Sequence, residues 1–416
     1  MRPFLAALAV GAALAPCARA ADRHFDDASL HAVQFADAKE GWAVGDEGVV
    51  WHTIDGGDTW ERQTTGVRAS LRSVYFLDPY RGWIAGREEL PGGGSVGVLL
   101  FTDDGGLKWH RLLNNAVPGL NLIRFGDPKT GYALGDGSEQ YPTGVFKTSD
   151  SGRRWEPVKG PRSPSWLAAD FKDGKTGALT GAWSRLATLN DDVFGTAKVD
   201  NLGVRSLRGL QLRDGRGLAV GQGGLILTSA SGGTRWGFAE LKVPTEVLAA
   251  WDFHGLHSVG EHIWVVGRPG SVVLHSANRG AGWEICKTGQ PLPLNGVYFF
   301  DEKRGWAVGE MGTVLMTGDG GRTWTVKRRG GQRAGVLFAH ARPQDLPVDT
   351  LAVLGLEEGW LATCVRVTAP DPRSEAPARA SDPQRFAGAA RLAGGAAGEQ
   401  LWQFPVPQHL RHADKN

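Results

Sequence analysis

Six polar side chains recur at one position of a repeated segment: His31, Arg72, Asn121, Arg208, His254 and Asn295, each directly after a large apolar residue. The seventh copy carries Leu167 there, after Trp166. Imidazole, guanidinium and carboxamide groups donate and accept hydrogen bonds, and guanidinium forks suit carboxylates, so this set fits recognition of a peptide or an anion. Three residues further on, the same segments give Gln34, Tyr75, Arg124, Asp170, Gln211, His257 and Tyr298, a second set that mixes charge and aromatics.

Other clusters invite other chemistry. Arg68, Arg72, Arg81 and Arg87 crowd into one repeat and read either as a basic face for an acidic partner or as a solvated surface. His254, His257, His262 and His275 suggest a metal, but strand positions three apart point to opposite faces, so no metal site is expected. No cofactor and no catalytic residue are expected either.

These residues are placed by a repeat with a Gly-aromatic-Ala-Val-Gly-like core. The cores centre on Trp42, Trp83, Tyr132, Ala178, Leu218, Trp264 and Trp306, in steps of 41, 49, 46, 40, 46 and 42 residues. The last copy runs Leu294 to Phe299, Gly305 to Gly309, Thr313 to Thr317 and Thr323 to Val326: four strand-like runs divided by Gly and charged turns. Seven such units predict an all-β, seven-bladed β-propeller of four-stranded antiparallel blades, residues 21–330. The first strand of each blade lines the central channel. The six polar residues would then ring a channel mouth, and a wet channel would be lined with polar groups whether or not it binds anything.

Most copies carry Ser/Thr-x-Asp-x-Gly-x-x-Trp between strands three and four. Asp55 and Trp60, Asp104 and Trp109, Asp150 and Trp155, and Asp319 and Trp324 mark the four full copies; Ser231 and Asn278 replace the Asp in two weaker ones. Asp accepts hydrogen bonds from turn amides, Gly allows positive φ, and the Trp inserts between blades, so these Asp-boxes are structural. Blade four has Asn190-Asp191-Asp192 instead. Glu88 to Gly97 and Gly135 to Thr143 are insertions between strands two and three, where binding loops are often built.

Residues 1–20 combine Arg2, an apolar stretch from Phe4 to Ala15, and Ala18-Arg19-Ala20, and read as a signal peptide. The expectation is an exported protein, periplasmic or extracellular, with no transmembrane segment after cleavage. Lys and Arg total 46 against 44 for Asp and Glu, so no global field favours nucleic acid. Cys286 and Cys364 remain in the mature chain, and two thiols do not establish a disulfide.

The phrases Leu-x-x-Val-x-Phe, Gly-Trp-Ala-Val-Gly and Thr-x-Asp-Gly-Gly-x-Thr-Trp, as in Leu294 to Trp324, resemble the photosystem II assembly and stability factors. That resemblance implies a seven-bladed, non-enzymatic scaffold with an Arg-rich contact face, carried here by Arg72 and its neighbours. The partner would be a protein or peptide, such as a membrane-complex subunit. Asp-boxes also resemble those of sialidases, whose six blades, Arg triad and Tyr/Glu pair are not matched.

After Gly331 the Asp-boxes stop. Gly335 to His340 reads as a strand, Val348 to Glu358 as a helix and Trp360 to Val367 as a second strand, giving residues 331–416 a small α/β-like or partly disordered character. Ala339-His340 is similar to the opening of PIG-L-type N-acetylsugar deacetylases, with Asp345 as a substitute ligand. The alternative function is therefore a glycan-binding propeller attached to an incomplete deacetylase domain.

Overall fold

The computed structural model describes residues 27–112, 117–328, 350–353 and 364–367. Residues 1–20 and His340 and Asp345 lie outside them.

Seven antiparallel sheets follow one another along the chain, each built from consecutive strands. Blade one is Leu30–Phe35, Gly41–Gly45, Val50–Thr53 and Glu61–Gln63; blade seven is Leu294–Phe299, Gly305–Gly309, Val314–Thr317 and Thr325–Arg328. The first strands pack in sequence around a ring, and the first strand of blade seven packs against that of blade one. No strand is exchanged among the described residues. Side chains cross the seam where the ring closes.

Blades stack face to face, so both faces of each second strand must be apolar. The strand Gly41–Gly45 is buried along its whole length, as is Gly305–Gly309. Trp42, Trp83, Tyr132, Trp264 and Trp306 are fully buried. Each lies against a Phe on the first strand of the next blade: Trp42 on Phe76 with ring centres 3.5 Å apart, Trp264 on Phe299 at 3.5 Å, Trp306 on Phe35 at 3.6 Å, Tyr132 on Phe171 at 4.2 Å and Trp83 on Phe125 at 4.5 Å. Aromatic pairs add about 0.5–1.5 kcal/mol each beyond the area they bury.

The Asp-boxes lock the outer hairpins to the same seams. In blade one the Thr53 hydroxyl donates to Asp55 at 2.8 Å and accepts the Gly57 amide at 2.9 Å, while the Thr59 amide donates to Asp55 at 2.9 Å. Although slight burial pushes it up, the Thr59 and Thr53 donors bring the Asp55 carboxyl down to about 2. Ser231 and Asn278 accept the corresponding amides at 2.9 and 2.7 Å, so the weaker boxes keep the turn without the charge. Trp60 meets Phe35 edge-on, 6.0 Å away, at the seam with blade seven.

Blade four replaces its box by a tight hairpin in which Asp191 and Asp192 have φ of 45° and 64°. Blade five gains a fifth strand, Lys198–Val199, parallel to Arg235–Phe238. A short helix, Thr245–Ala249, precedes blade six. Neither is marked by the repeat.

A second unit of the chain contains the antiparallel pair Thr350–Val353 and Cys364–Val367. Thr350–Val353 is thus a strand where the sequence reads a helix; a β-branched, apolar run with a partner strand satisfies its backbone as well as a helix would. Among the described residues no helix is long and apolar enough to cross a membrane.

Candidate functional site

The channel has two distinct ends. In blade one, Leu30 pairs with Gly45 while Phe35 pairs with Gly41, and Gly41 also pairs with Thr53, where the Asp-box begins. His31 and its equivalents therefore lie toward the end opposite the Asp-boxes.

All seven first strands are irregular at the same place. Pairing with the second strand skips one residue in each, and the skipped residues are His31, Arg72, Asn121, Leu167, Arg208, His254 and Asn295. A bulge inserts one unpaired residue and re-aims its side chain. Simple alternation therefore fails, and the opposite-face argument for His254 and His257 does not hold. Among the described residues no three His, Cys, Asp or Glu side chains are gathered as a metal site. His254 Nδ1 lies 2.9 Å from Asn295 Oδ1, and His262 and His275 form a separate pair on outer strands with Glu284.

The second set of residues ties the ring together. Tyr298 donates to the Phe35 carbonyl at 3.0 Å, and Tyr75 to that of Phe125 at 3.4 Å. Gln34 both accepts from the Phe76 amide and donates to its carbonyl, at 2.8 and 3.2 Å. Asp170 accepts the Leu212 amide at 2.8 Å and lies 3.5 Å from Arg124. His257 Nδ1 accepts the Phe299 amide at 3.3 Å. Burial, with Arg213 and Arg124 nearby, pulls His257 down to about 3, which keeps that nitrogen free to accept. In each of these hydrogen bonds the partner belongs to the next blade.

The mouth is a different environment. Asn295 donates to the Leu30 carbonyl at 3.0 Å, and Asn121 to that of Trp166 at 2.9 Å, so these two also serve as staples. His31 contacts Asp46 at 2.8 Å. Arg72 and Arg208 have no hydrogen bond or ion pair among the described residues. Burial pulls both guanidinium groups below their ordinary range; Asp46 opposes this at Arg72, while Arg87 and Arg208 add to it. At Arg208, Asp252 opposes and Arg268 adds. Two partly desolvated cations thus sense each other across the mouth from blades two and five.

Sequence reasoning missed a third ring, the residue after the second-strand glycine: Asp46, Arg87, Asp136, Ala182, Gln222, Arg268 and Glu310. Arg87 bridges Glu89 at 2.7 Å and Asp136 at 2.9 Å, and Arg268 pairs with Asp252 at 3.0 Å. The signal was present, since five of these seven positions are charged. The blade-two insertion extends the hairpin Gly82–Glu89 and Ser95–Thr102, and Ser95 donates to Asp136 at 2.9 Å, joining both insertions at this mouth. The four arginines of blade two do not form one face: Arg81 sits in the turn at the Asp-box end, 2.9 Å from Asp78.

Comparisons with known proteins agree with this architecture. A family model described as the photosynthesis system II assembly factor YCF48 matches residues 21–182 and 210–297. The chain is 26% identical over 110 residues to the chloroplast photosystem II stability/assembly factor HCF136 of Oryza sativa subsp. japonica. That alignment spans 26% of this chain and 26% of the rice protein, about a quarter of the relative's length. A solved structure of YCF48 bound to D1 peptide superposes with a TM-score of 0.55 at 22% identity, covering 70% of this chain and 92% of that one. The GH74 xyloglucanase of Xanthomonas campestris superposes with a TM-score of 0.58 at 12% identity, covering 73% and 55%, a likeness of fold alone.

Proposed function

Since the chain belongs to the YCF48 family of photosynthesis system II assembly factors, we propose that it is an exported, non-enzymatic scaffold that holds a peptide segment of a partner protein at this channel mouth. The observation that carries the reading is the pair Arg72 and Arg208, partly desolvated and without a carboxylate. A guanidinium held away from water and unpaired gains most from an incoming anion, and its fork fits a carboxylate in two-point fashion. His254 and the insertion hairpin of blade two complete the rim, while Asn121 and Asn295 hold it in shape. The related YCF48 bound to a D1 peptide supports a peptide as the ligand class. The family is one of assembly factors, which supports a non-enzymatic role.

The N-terminal pattern of residues 1–20 supports export, and this reading assigns residues 21–330 to the propeller. The test of function is recovery of partners from an envelope extract by the full chain beside an Arg72→Ala/Arg208→Ala variant. The reading expects a membrane-complex subunit held by the first and lost by the second; equal recovery by both overturns it.

A further inference from the structure

The stacked aromatic pair that fills five blade seams is missing between blades five and six. Leu218 stands where the others have Trp or Tyr, and Ser258 where they have Phe. The seam between blades four and five also lacks the pair, with Ala178 and Leu212, but there Gly233 brings the box backbone against Ala178 and Trp236 fills the space. Between blades five and six Ile263, which stands where the other second strands have Gly, and Trp283 fill only part of it. A cavity of about 300 Å3 remains, walled by Leu218 and Ile263 and by Gly217, Gly260 and Gly280.

Polar groups at this seam are unspent. Gln211 lines the cavity, is nine-tenths buried, and its Oε1 has no hydrogen-bond partner. At the other blades the equivalent side chain is hydrogen-bonded to its neighbour, as Gln34 is to Phe76, or, for Arg124, lies in an ion pair 3.5 Å from Asp170. The residue Gln211 would reach by analogy is Ser258, which also lines the cavity. At the rim, Arg213 and Arg216 face each other directly across a hairpin, both exposed and neither paired with a carboxylate among the described residues. Like charges directly opposite in a sheet destabilise it, and an anion between them removes that cost. Arg279 at the same rim is already paired with Glu261 at 3.1 Å.

We propose that the seam between blades five and six is a second binding site, which takes an aromatic side chain bearing an N–H or O–H donor from an acidic segment of a partner protein. The ring replaces the missing Trp–Phe pair against Leu218 and Ile263. Its donor meets Gln211 Oε1, and the adjoining carboxylate meets Arg213 and Arg216. The site lies at the Asp-box end of the channel, away from Arg72 and Arg208, and goes beyond the function proposed for the mouth. The wider cavity between blades three and four, about 510 Å3, offers no such opening, because Asp192 there is already bonded to Lys147 at 2.9 Å and to Tyr132 at 3.3 Å.

N-acetyltyrosine joins ring, donor and carboxylate in one small probe. Saturable binding to the full chain, followed by ligand-observed NMR, is expected. N-acetylphenylalanine and N-acetyltyrosinamide should each bind at least tenfold more weakly. Leu218→Trp/Ser258→Phe/Ile263→Gly should abolish binding by restoring the pair together with the glycine that faces its Phe in the other blades; Gln211→Leu and Arg216→Glu provide the same test should that variant not fold. Arg153→Ala, on an exposed outer turn of blade three, should leave binding unchanged. Absence of saturable binding, equal affinity for all three probes, binding retained in the seam variants, or loss of binding in the Arg153 variant would each overturn the proposal.

Discussion

The hydroxyl of Tyr298 donates to the carbonyl oxygen of Phe35 at 3.0 Å, across 263 residues of chain and across the seam where the propeller closes. Trp306 crosses the same seam, its indole N–H donating to the Gly56 carbonyl at 3.0 Å. Among the described residues no strand is exchanged, and such bonds join blade seven to blade one. Tyr298→Phe should therefore lower stability by about 1 kcal/mol, the usual worth of one internal hydrogen bond. Denaturant unfolding measures it, and an unchanged midpoint would show that packing alone closes the ring.

Glycine is required where the box backbone passes over that indole. Gly57 has φ of +92°, and a Cβ there would lie 2.4 Å from Trp306 Nε1. Gly57→Ala combines backbone strain with a clash and should cost about 2–4 kcal/mol. Gly66, also at positive φ but with open space around it, is the control and should cost clearly less.

His257 makes stability depend on pH. Its folded value, about 3, is below the ordinary 6.5, so unfolding takes up a proton below pH 6.5. Stability is then complete above about pH 6.5 and falls as pH drops toward 3, by at most about 1.4 kcal/mol per pH unit from this group. Burial shifts His254 in the same direction and adds to the slope. The box carboxylates are shifted down and act only below their unfolded value near 3.8. His257→Gln should flatten the fall in melting temperature between pH 6.5 and 4.5; an unaltered profile would assign it elsewhere.

Asp46 tempers the mouth. It accepts from Ser70 at 2.5 Å and contacts His31; against the upward push of burial, these partners and Arg72 hold its carboxyl below the ordinary range. Removing the charge strips Arg72 of the larger of its two favourable fields, the other coming from Glu89. Asp46→Asn should tighten binding of an acidic peptide by about threefold, within the range of partly exposed charge pairs. Weaker binding would mean that Asp46 positions the site instead of competing for it.

Blade number and strand order were legible because a second-strand glycine recurs in every blade, and the aromatic and the Asp-box in most, at a near-constant interval. The bulge was not, since strict alternation puts His254 and His257 on opposite faces. Its trace is the small residue that follows the ring position: Ala32, Ser73, Ala168, Gly209, Gly255 and Gly296. Neither local propensity nor spacing encodes which polar residues are spent on the neighbouring blade. That decision separates Asn121 and Asn295, which staple the ring, from Arg72 and Arg208, which remain open. The added strand Lys198–Val199 was hidden for a similar reason, as its partner lies in the next blade.

The central claim is that Arg72 and Arg208 bind the carboxylates of a peptide. It is tested by titrating a fluorescein-labelled acidic nonapeptide against the full chain and the Arg72→Ala/Arg208→Ala variant, at 50 and 200 mM salt. With about 1.5–3 kcal/mol expected for each charged hydrogen bond, the variant should bind at least tenfold more weakly and lose most of the salt dependence. Equal affinity and equal salt dependence in the two proteins would contradict the account.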